Sequence, residues 1–307
     1  MTVTPIPVLL DVDTGIDDAI AIALAVRSPH LDVVGITTVA GNVTVDRTTD
    51  NTLRVLSWLG ADTIPVARGM AGPLVRPLRD AASIHAESGL GLFDPPPSPA
   101  AAGPQTALEF LIRTLRARPG EITLVCTGPL TNLAVALQLE PALPRLVRRL
   151  VVMGGAFTVP GNVTLAAEFN IHVDPEAAAA VARSEFDATW IGLDVTHQVP
   201  LTREEWSRLE ADEHREGRLV YQACRYSFEV RGAQRFPLHD PLAVAVAARP
   251  ELVTSEHSAV RVDTGLGISA GETRMARDTR GSQHDVALQV DREGLLAMFR
   301  STLNLQT

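Results

Sequence analysis

Ile6-Pro7-Val8-Leu9-Leu10-Asp11-Val12-Asp13-Thr14-Gly15-Ile16-Asp17-Asp18 carries four carboxylates within eight residues, directly between the apolar run Ile6 to Leu10 and the apolar-rich stretch Ala19 to Val26. The pattern reads as a buried strand turning sharply into a helix, the opening unit of an α/β sheet. Carboxylates this crowded repel one another unless a cation or shared protons hold them together, so the segment has the character of half a metal site. Gly15 supplies the backbone freedom that such a turn asks for. The competing reading is a solvated turn whose aspartates only cap a helix.

Outward from this stretch, short aliphatic runs alternate with amphipathic ones. Ile6–Leu10, Val33–Val39, Thr63–Ala67, Ile122–Cys126, Leu150–Met153 and Thr189–Leu193 read as strands; Val45–Leu59, Thr106–Arg116 and Glu176–Arg183 read as helices. Strand-helix alternation with nearly continuous apolar strands predicts an α/β fold: a doubly wound, mostly parallel sheet covered on both faces. Two segments break the rhythm. Residues 69–103 form a long loop ending in a proline-rich stretch, a length that usually signals function. Residues 202–235 read as a charged helical insertion. Val286–Val290 and Arg292–Leu303 are expected to return to the core as strand and helix, giving a single domain over residues 1–307.

The 307 residues are 46% hydrophobic but only 4% aromatic, enough to bury a large aliphatic core. A net charge of -9 speaks against nucleic acid and anionic membrane as partners, since both need basic patches. A small molecule is the expected partner. Cys126 and Cys224 match no zinc or redox spacing, no apolar stretch is long enough to span a bilayer, and no secretory leader is evident, so cytoplasm is the expected location. The expected assembly is a homodimer or homotetramer.

In a parallel sheet all strand carboxyl ends share one edge, where ligands bind near the switch in strand order. The residues after each predicted strand are polar and glycine-rich: the aspartate cluster, then Ala40-Gly41-Asn42, then Thr127-Gly128-Pro129-Leu130-Thr131-Asn132, then Met153-Gly154-Gly155. Each alone fits ordinary turn chemistry, but together they outline one pocket. Further on, Asn162, Glu168 and Asn170 suit recognition of a polyol, their alternative role being to bond their own backbone. Asp174 before Pro175 reads as a helix cap and nothing more. Asp240 before Pro241 reads equally well as a cap or as a ligand.

These motifs, in this order from Asp11 to Asp240, resemble the calcium-dependent nucleoside hydrolases, the inosine-uridine preferring family that splits ribonucleosides into base and ribose. The resemblance implies that calcium is held by Asp13, Asp18, Asp240 and the main-chain oxygen of Thr127, with water and two ribose hydroxyls completing the shell. It implies that Asn42 orients the attacking water and Asp13 takes its proton. Asp17, Asn162, Glu168 and Asn170 would hold ribose, with Met153 beneath the ring and Phe169 inside the Glu168–Asn170 motif. Asp11 would support the cluster. Because adjacent helical side chains diverge by about 100°, Asp18 is expected on the metal and Asp17 on the sugar. His239 is the expected proton donor to the leaving base. His85, followed by Ser88-Gly89-Leu90, matches a lid loop over the base, and Arg231 would approach the base from a helix that also carries Ser227 and Phe228. The chain departs from the family at Thr14, where proline is usual, and at Ala86, where glycine is usual. No tryptophan stands near His85, which disfavours a strictly purine-stacking pocket.

Two other functions compete. Asp11-Val12-Asp13-Thr14 after a strand also fits haloacid-dehalogenase-type phosphatases, but those need a lysine and the sequence contains none. A calcium-stabilised ribose- or nucleoside-binding protein without catalysis is the remaining alternative.

Overall fold

The computed structural model describes residues 4–276 and 281–305. Among these residues eleven strands form: β1 (Ile6–Val12), β2 (Leu31–Thr38), β3 (Val66–Arg68), β4 (Thr123–Cys126), β5 (Arg149–Met153), β6 (Ala188–Ile191), β7 (Pro200–Thr202), β8 (Arg235–Pro237), β9 (Val253–Val262), β10 (Thr273–Ala276) and β11 (His284–Val290). Nine of them make one sheet in the order β10-β9-β11-β6-β5-β4-β1-β2-β3. Pairing is parallel from β3 across to β11 and antiparallel only at the β11-β9-β10 edge. The doubly wound, mostly parallel sheet expected from the alternation is therefore present.

The first strand shows why its sequence is nearly all apolar. Val8, Leu10 and Val12 pack into the core on one face and Leu9 into the core on the other, and all four are essentially inaccessible. The helix that follows, Ile16–Arg27, is buried from Ile16 through Ala25 and lies against the equally apolar His239–Ala248 helix. A helix apolar around its circumference is an interior helix, and this one carries Asp17 and Asp18 into the protein with it.

Several boundaries differ from expectation. The third strand is confined to Val66–Arg68, and Leu193 begins a short helix, Leu193–Thr196, instead of ending β6. Residues 202–235 are helical as expected, with helices Arg203–Ser207 and Arg215–Arg225 and a π-helical turn Tyr226–Val230, and β7 pairs with β8 across their base. β9 and β10 have no counterpart in the sequence reading; Thr254 to His257 of β9 are exposed at the sheet's antiparallel edge and polar, so no apolar run marks them. Among the described residues no helix is long and apolar enough to cross a membrane.

Candidate active site

Strand order reverses between β1 and β4: chain succession runs outward through β2 and β3 on one side and through β4, β5 and β6 on the other. The crevice expected at such a switch is present as a cavity of ≈ 290 Å³ lined by Asp17, Asn42, His85, Thr127, Met153, Asn162, Glu168, Phe169, Asn170, Arg231, His239 and Asp240, among others. Nearly every residue singled out in the sequence is brought to it.

At its floor, one carboxylate oxygen each from Asp17, Asp18 and Asp240 lie within 4.8 Å of one another. Asp17 and Asp18 were expected to diverge; they meet because side chains at a helix start lean toward its N-terminus, and Asp18 folds back to accept the Gly15 N–H at 2.9 Å. Asp13 adjoins this group without belonging to it. Its Oδ2 accepts the Asn42 N–H at 2.7 Å, and its Oδ1 is buried without a partner. Asn42 also reaches Asp18 Oδ2 through Nδ2 at 3.2 Å, and the Thr127 hydroxyl donates to Asp18 Oδ1 at 2.8 Å.

Glycine keeps this floor open through space more than through backbone freedom. Gly15 has an ordinary extended conformation, φ -104, but a Cβ there would stand 2.5 Å from His85 Nδ1. A Cβ on Gly41 would meet Asp13 Oδ2 at 2.1 Å.

The electrostatics follow from burial and crowding. Desolvation, then Asp18, raises Asp17 to about 7; desolvation raises Asp13, Asp18 and Asp240 as well, with the neighbouring aspartates adding to Asp13 and Asp240. Burial likewise lifts Glu168 to about 7 and Asp11 to about 6. Asp11 stands just behind the site, its Oδ1 accepting from Thr37 and Asn132.

On the walls, Glu168 caps the Phe169–Val173 helix, accepting from Asn170 N and Ile171 N, and also takes the Gly155 N–H. Asn170 spends its Nδ2 on the carbonyls of Thr127 and Met153, at 2.7 and 3.1 Å. Asn162 is exposed at the rim, where its Oδ1 accepts from Phe169 N at 3.0 Å. Asn162 and Glu168 thus bond the backbone of their own segment, the alternative role, whereas Asn170 ties the loops after β4 and β5 together; all three side chains still line the cavity.

His85 enters from the long loop and accepts the Ile16 N–H at 3.0 Å through Nδ1, capping the helix that carries Asp17 and Asp18. Burial, then Arg231, pushes it down to about 3. His239 bonds the Thr196 hydroxyl through Nδ1 at 2.8 Å, and burial, then His197 and His85, push it down to about 3. Both rings are neutral at physiological pH, so His239 offers an N–H hydrogen bond rather than an imidazolium proton.

Other expectations change. Asp240 caps nothing: the helix begins at His239, and Asp240 lies within its first turn. Asp174 does cap its helix, accepting from Ala177 N, but it also binds the Thr131 hydroxyl and the Leu74 N–H, tying three segments together. Ser227 and Arg231 line the pocket, whereas Phe228 turns into the core against Trp206. Ile84, Val163 and Phe236 also line it; single apolar residues in a one-turn helix, a loop and a three-residue strand gave no sign of this.

Ala86 adopts φ 61 and ψ 171, a region reached almost only by glycine and costing roughly 1–3 kcal/mol for other residues. Ala86→Gly is expected to stabilise the protein by up to about 1 kcal/mol after glycine's own entropy cost, read as a Tm rise of about 2 °C. An unchanged or lower Tm would show the loop to be relaxed at this position.

A carboxylate floor, fixed amides and a carboxylate on the walls, and histidines at the upper end define a site built to cleave a sugar from a base at the switch point of a doubly wound sheet. The sequence profile of the inosine-uridine preferring nucleoside hydrolases matches residues 8–297. A pyrimidine-specific ribonucleoside hydrolase of Citrobacter koseri is 45% identical over 276 residues, 87% of each chain. A plant nucleoside hydrolase superposes with a TM-score of 0.93 at 36% identity, covering 98% of this chain and 99% of its own. A purine-preferring ribonucleoside hydrolase from Gardnerella vaginalis superposes at 0.91 with 33% identity, covering 97% and 98%. The chain belongs to the inosine-uridine preferring nucleoside hydrolase family and is an enzyme that hydrolyses ribonucleosides to free base and ribose.

Proposed function

We propose that the enzyme works with calcium at the Asp13, Asp18, Asp240 and Thr127 oxygens and prefers pyrimidine ribonucleosides. The observation that carries the metal is the convergence of Asp17, Asp18 and Asp240 oxygens within 4.8 Å, with a partnerless buried oxygen of Asp13 beside them. An all-oxygen donor set that burial and mutual repulsion leave short of positive charge fits a hard cation. Calcium bound there would acidify water and draw sugar hydroxyls to the floor.

The protein's own groups supply the rest. Asp13, steadied through Oδ2 by Asn42, presents Oδ1 as the acceptor for the water's proton. Breaking the N-glycosidic bond builds positive charge on ribose, which the carboxylates of Asp17 and Glu168 stabilise. Asp17, Asn162, Glu168 and Asn170 receive the hydroxyls above Met153 and Phe169. His239 hydrogen-bonds the departing base, with His85 and Arg231 at the same end of the pocket.

Pyrimidine preference rests on two observations: the relative at 45% identity is described as pyrimidine-specific, and among the described residues no tryptophan lines the pocket to stack a purine. A reducing-sugar assay over uridine, cytidine, inosine and 2′-deoxyuridine, with and without chelator, tests the whole reading. Uridine is expected to exceed inosine in kcat/KM, chelation to abolish turnover and calcium to restore it. Deoxyuridine should react about 10²-fold more slowly or worse, because the missing hydroxyl leaves buried partners unpaired. Full activity after chelation would remove calcium, and equal rates on uridine and deoxyuridine would remove the ribose-binding roles.

A further inference from the structure

Thr196 is fully buried at the end of the Leu193–Thr196 helix, just beyond the carboxyl end of β6, and its hydroxyl lies 2.8 Å from His239 Nδ1. The Thr196 hydroxyl has no hydrogen-bond partner other than this imidazole among the described residues. His197, the next residue, sets its ring 5.8 Å from that of His239. One side of the His239 ring is thus held by β6 and its short helix. The other nitrogen, Nε2, has no protein partner among the described residues, and His239 lines the pocket.

We propose that Thr196 is a positioning residue for His239: its hydroxyl donates to Nδ1 and so keeps the ring proton on Nε2, aimed at the departing base. A neutral imidazole has one N–H and one lone pair, and whichever Nδ1 takes, Nε2 shows the other. With Nδ1 protonated, Nε2 would turn a lone pair toward a pocket that carries Asp17 and Asp240 at its floor and Glu168 on its wall, all of them acceptors once calcium takes the place of their protons. It would also meet the base, which gains negative charge on departure, with another acceptor. With the Thr196 hydroxyl as donor, Nε2–H faces both with the favourable sign. The threonine thereby selects the tautomer that can help a leaving group, without touching substrate itself.

This inference rests on the reading of His239 as the group that serves the leaving base, and the experiment separates the two. Thr196→Val, which keeps shape and loses the hydroxyl, Thr196→Ser, which keeps the hydroxyl, and His239→Ala are each assayed on uridine and on p-nitrophenyl riboside, whose phenolate leaves without assistance. Thr196→Val is expected to lose about tenfold or more in kcat on uridine, a share of the roughly 10²–10³-fold that one hydrogen bond to developing negative charge typically contributes. KM should hold within about twofold, p-nitrophenyl riboside turnover should be nearly unchanged, and Thr196→Ser should recover most of the loss. Equal losses on both substrates, or none on uridine, while His239→Ala stays selective for uridine, would overturn the role of Thr196 alone. A His239→Ala variant that does not discriminate the substrates would take down both. Nitrogen-15 spectra of histidine-labelled, calcium-loaded enzyme, with His239→Ala for assignment, give a check that needs no Thr196 variant. A protonated Nε2 and bare Nδ1 are expected, and the reverse pattern would overturn the proposal.

Discussion

Asp13→Asn is expected to reduce uridine hydrolysis to background, a loss of at least about 10²–10⁴-fold from the base alone, while leaving the metal-free protein as stable as the wild type or more so. The two effects have one cause. Asp13 is buried with Oδ1 unpartnered, and desolvation together with the charges of Asp18 and Asp17 raises its pKa well above the usual carboxylate range. A neutral amide removes that repulsion along with the proton acceptor and a proposed ligand. Calcium should reverse the ranking: at a hundredfold excess over Kd it adds about 2.7 kcal/mol to the wild type, and most of that should vanish in Asp13→Asn. The pH dependence fixes the sign. Asp17 and Glu168 titrate near 7 when folded, against 3.8 and 4.5 ordinarily, so the folded metal-free state holds protons that the unfolded state has released. Their stabilising contribution is complete below about 4 and is lost as pH rises through about 7. Calcium takes over the task of those protons, so its thermal shift should grow across the same interval. A shift that is flat in pH and equal in the two proteins would separate Asp13 from the metal and weaken the cluster as its site.

Most of the fold was legible in the first eighteen residues and the rhythm that follows them, because a strand buried on both faces must be apolar throughout and Val8 to Leu10 are. β9 was not, because polar residues dominate its exposed half and its pairing to β11 and β10 is decided by neighbours far along the chain. The site divides the same way. Asp13, Asn42 and Thr127 follow strands, so topology alone assigns them to one edge. The bond from Ile16 N–H to His85 spans 69 residues and no local pattern announces it. Thr196 escaped notice because Thr189–Leu193 reads as a strand followed by nothing distinctive, whereas the chain turns at Leu193 into a helix whose last hydroxyl meets His239. Ala86 was visible as a departure from glycine, but only the backbone shows that alanine there sits at positive φ.

His239→Ala is expected to lose roughly 10²–10³-fold in kcat on uridine or inosine, the usual cost of removing one hydrogen-bond donor aimed at developing negative charge, and far less on p-nitrophenyl riboside. The site's layout dictates this asymmetry. Asp240, in the same helical turn, joins the floor with Asp17 and Asp18, while His239 is held through Nδ1 by the Thr196 hydroxyl. The two neighbours therefore serve different ends of the scissile bond. Loss of the imidazole leaves the carboxylates and the sugar contacts in place, so charge stabilisation on ribose persists for any substrate. What disappears is the hydrogen bond to a base that leaves with negative charge, and a nitrophenolate does not need it. The ring is neutral, held so by burial and by the His197 and His85 rings, so the loss should appear as a lower kcat across the neutral range and not as a displaced pH optimum. Equal losses on nucleoside and nitrophenyl substrates, with calcium binding intact by thermal shift, would make His239 a structural residue and move the leaving-group role to His85 or Arg231, the other two candidates lining that end of the pocket.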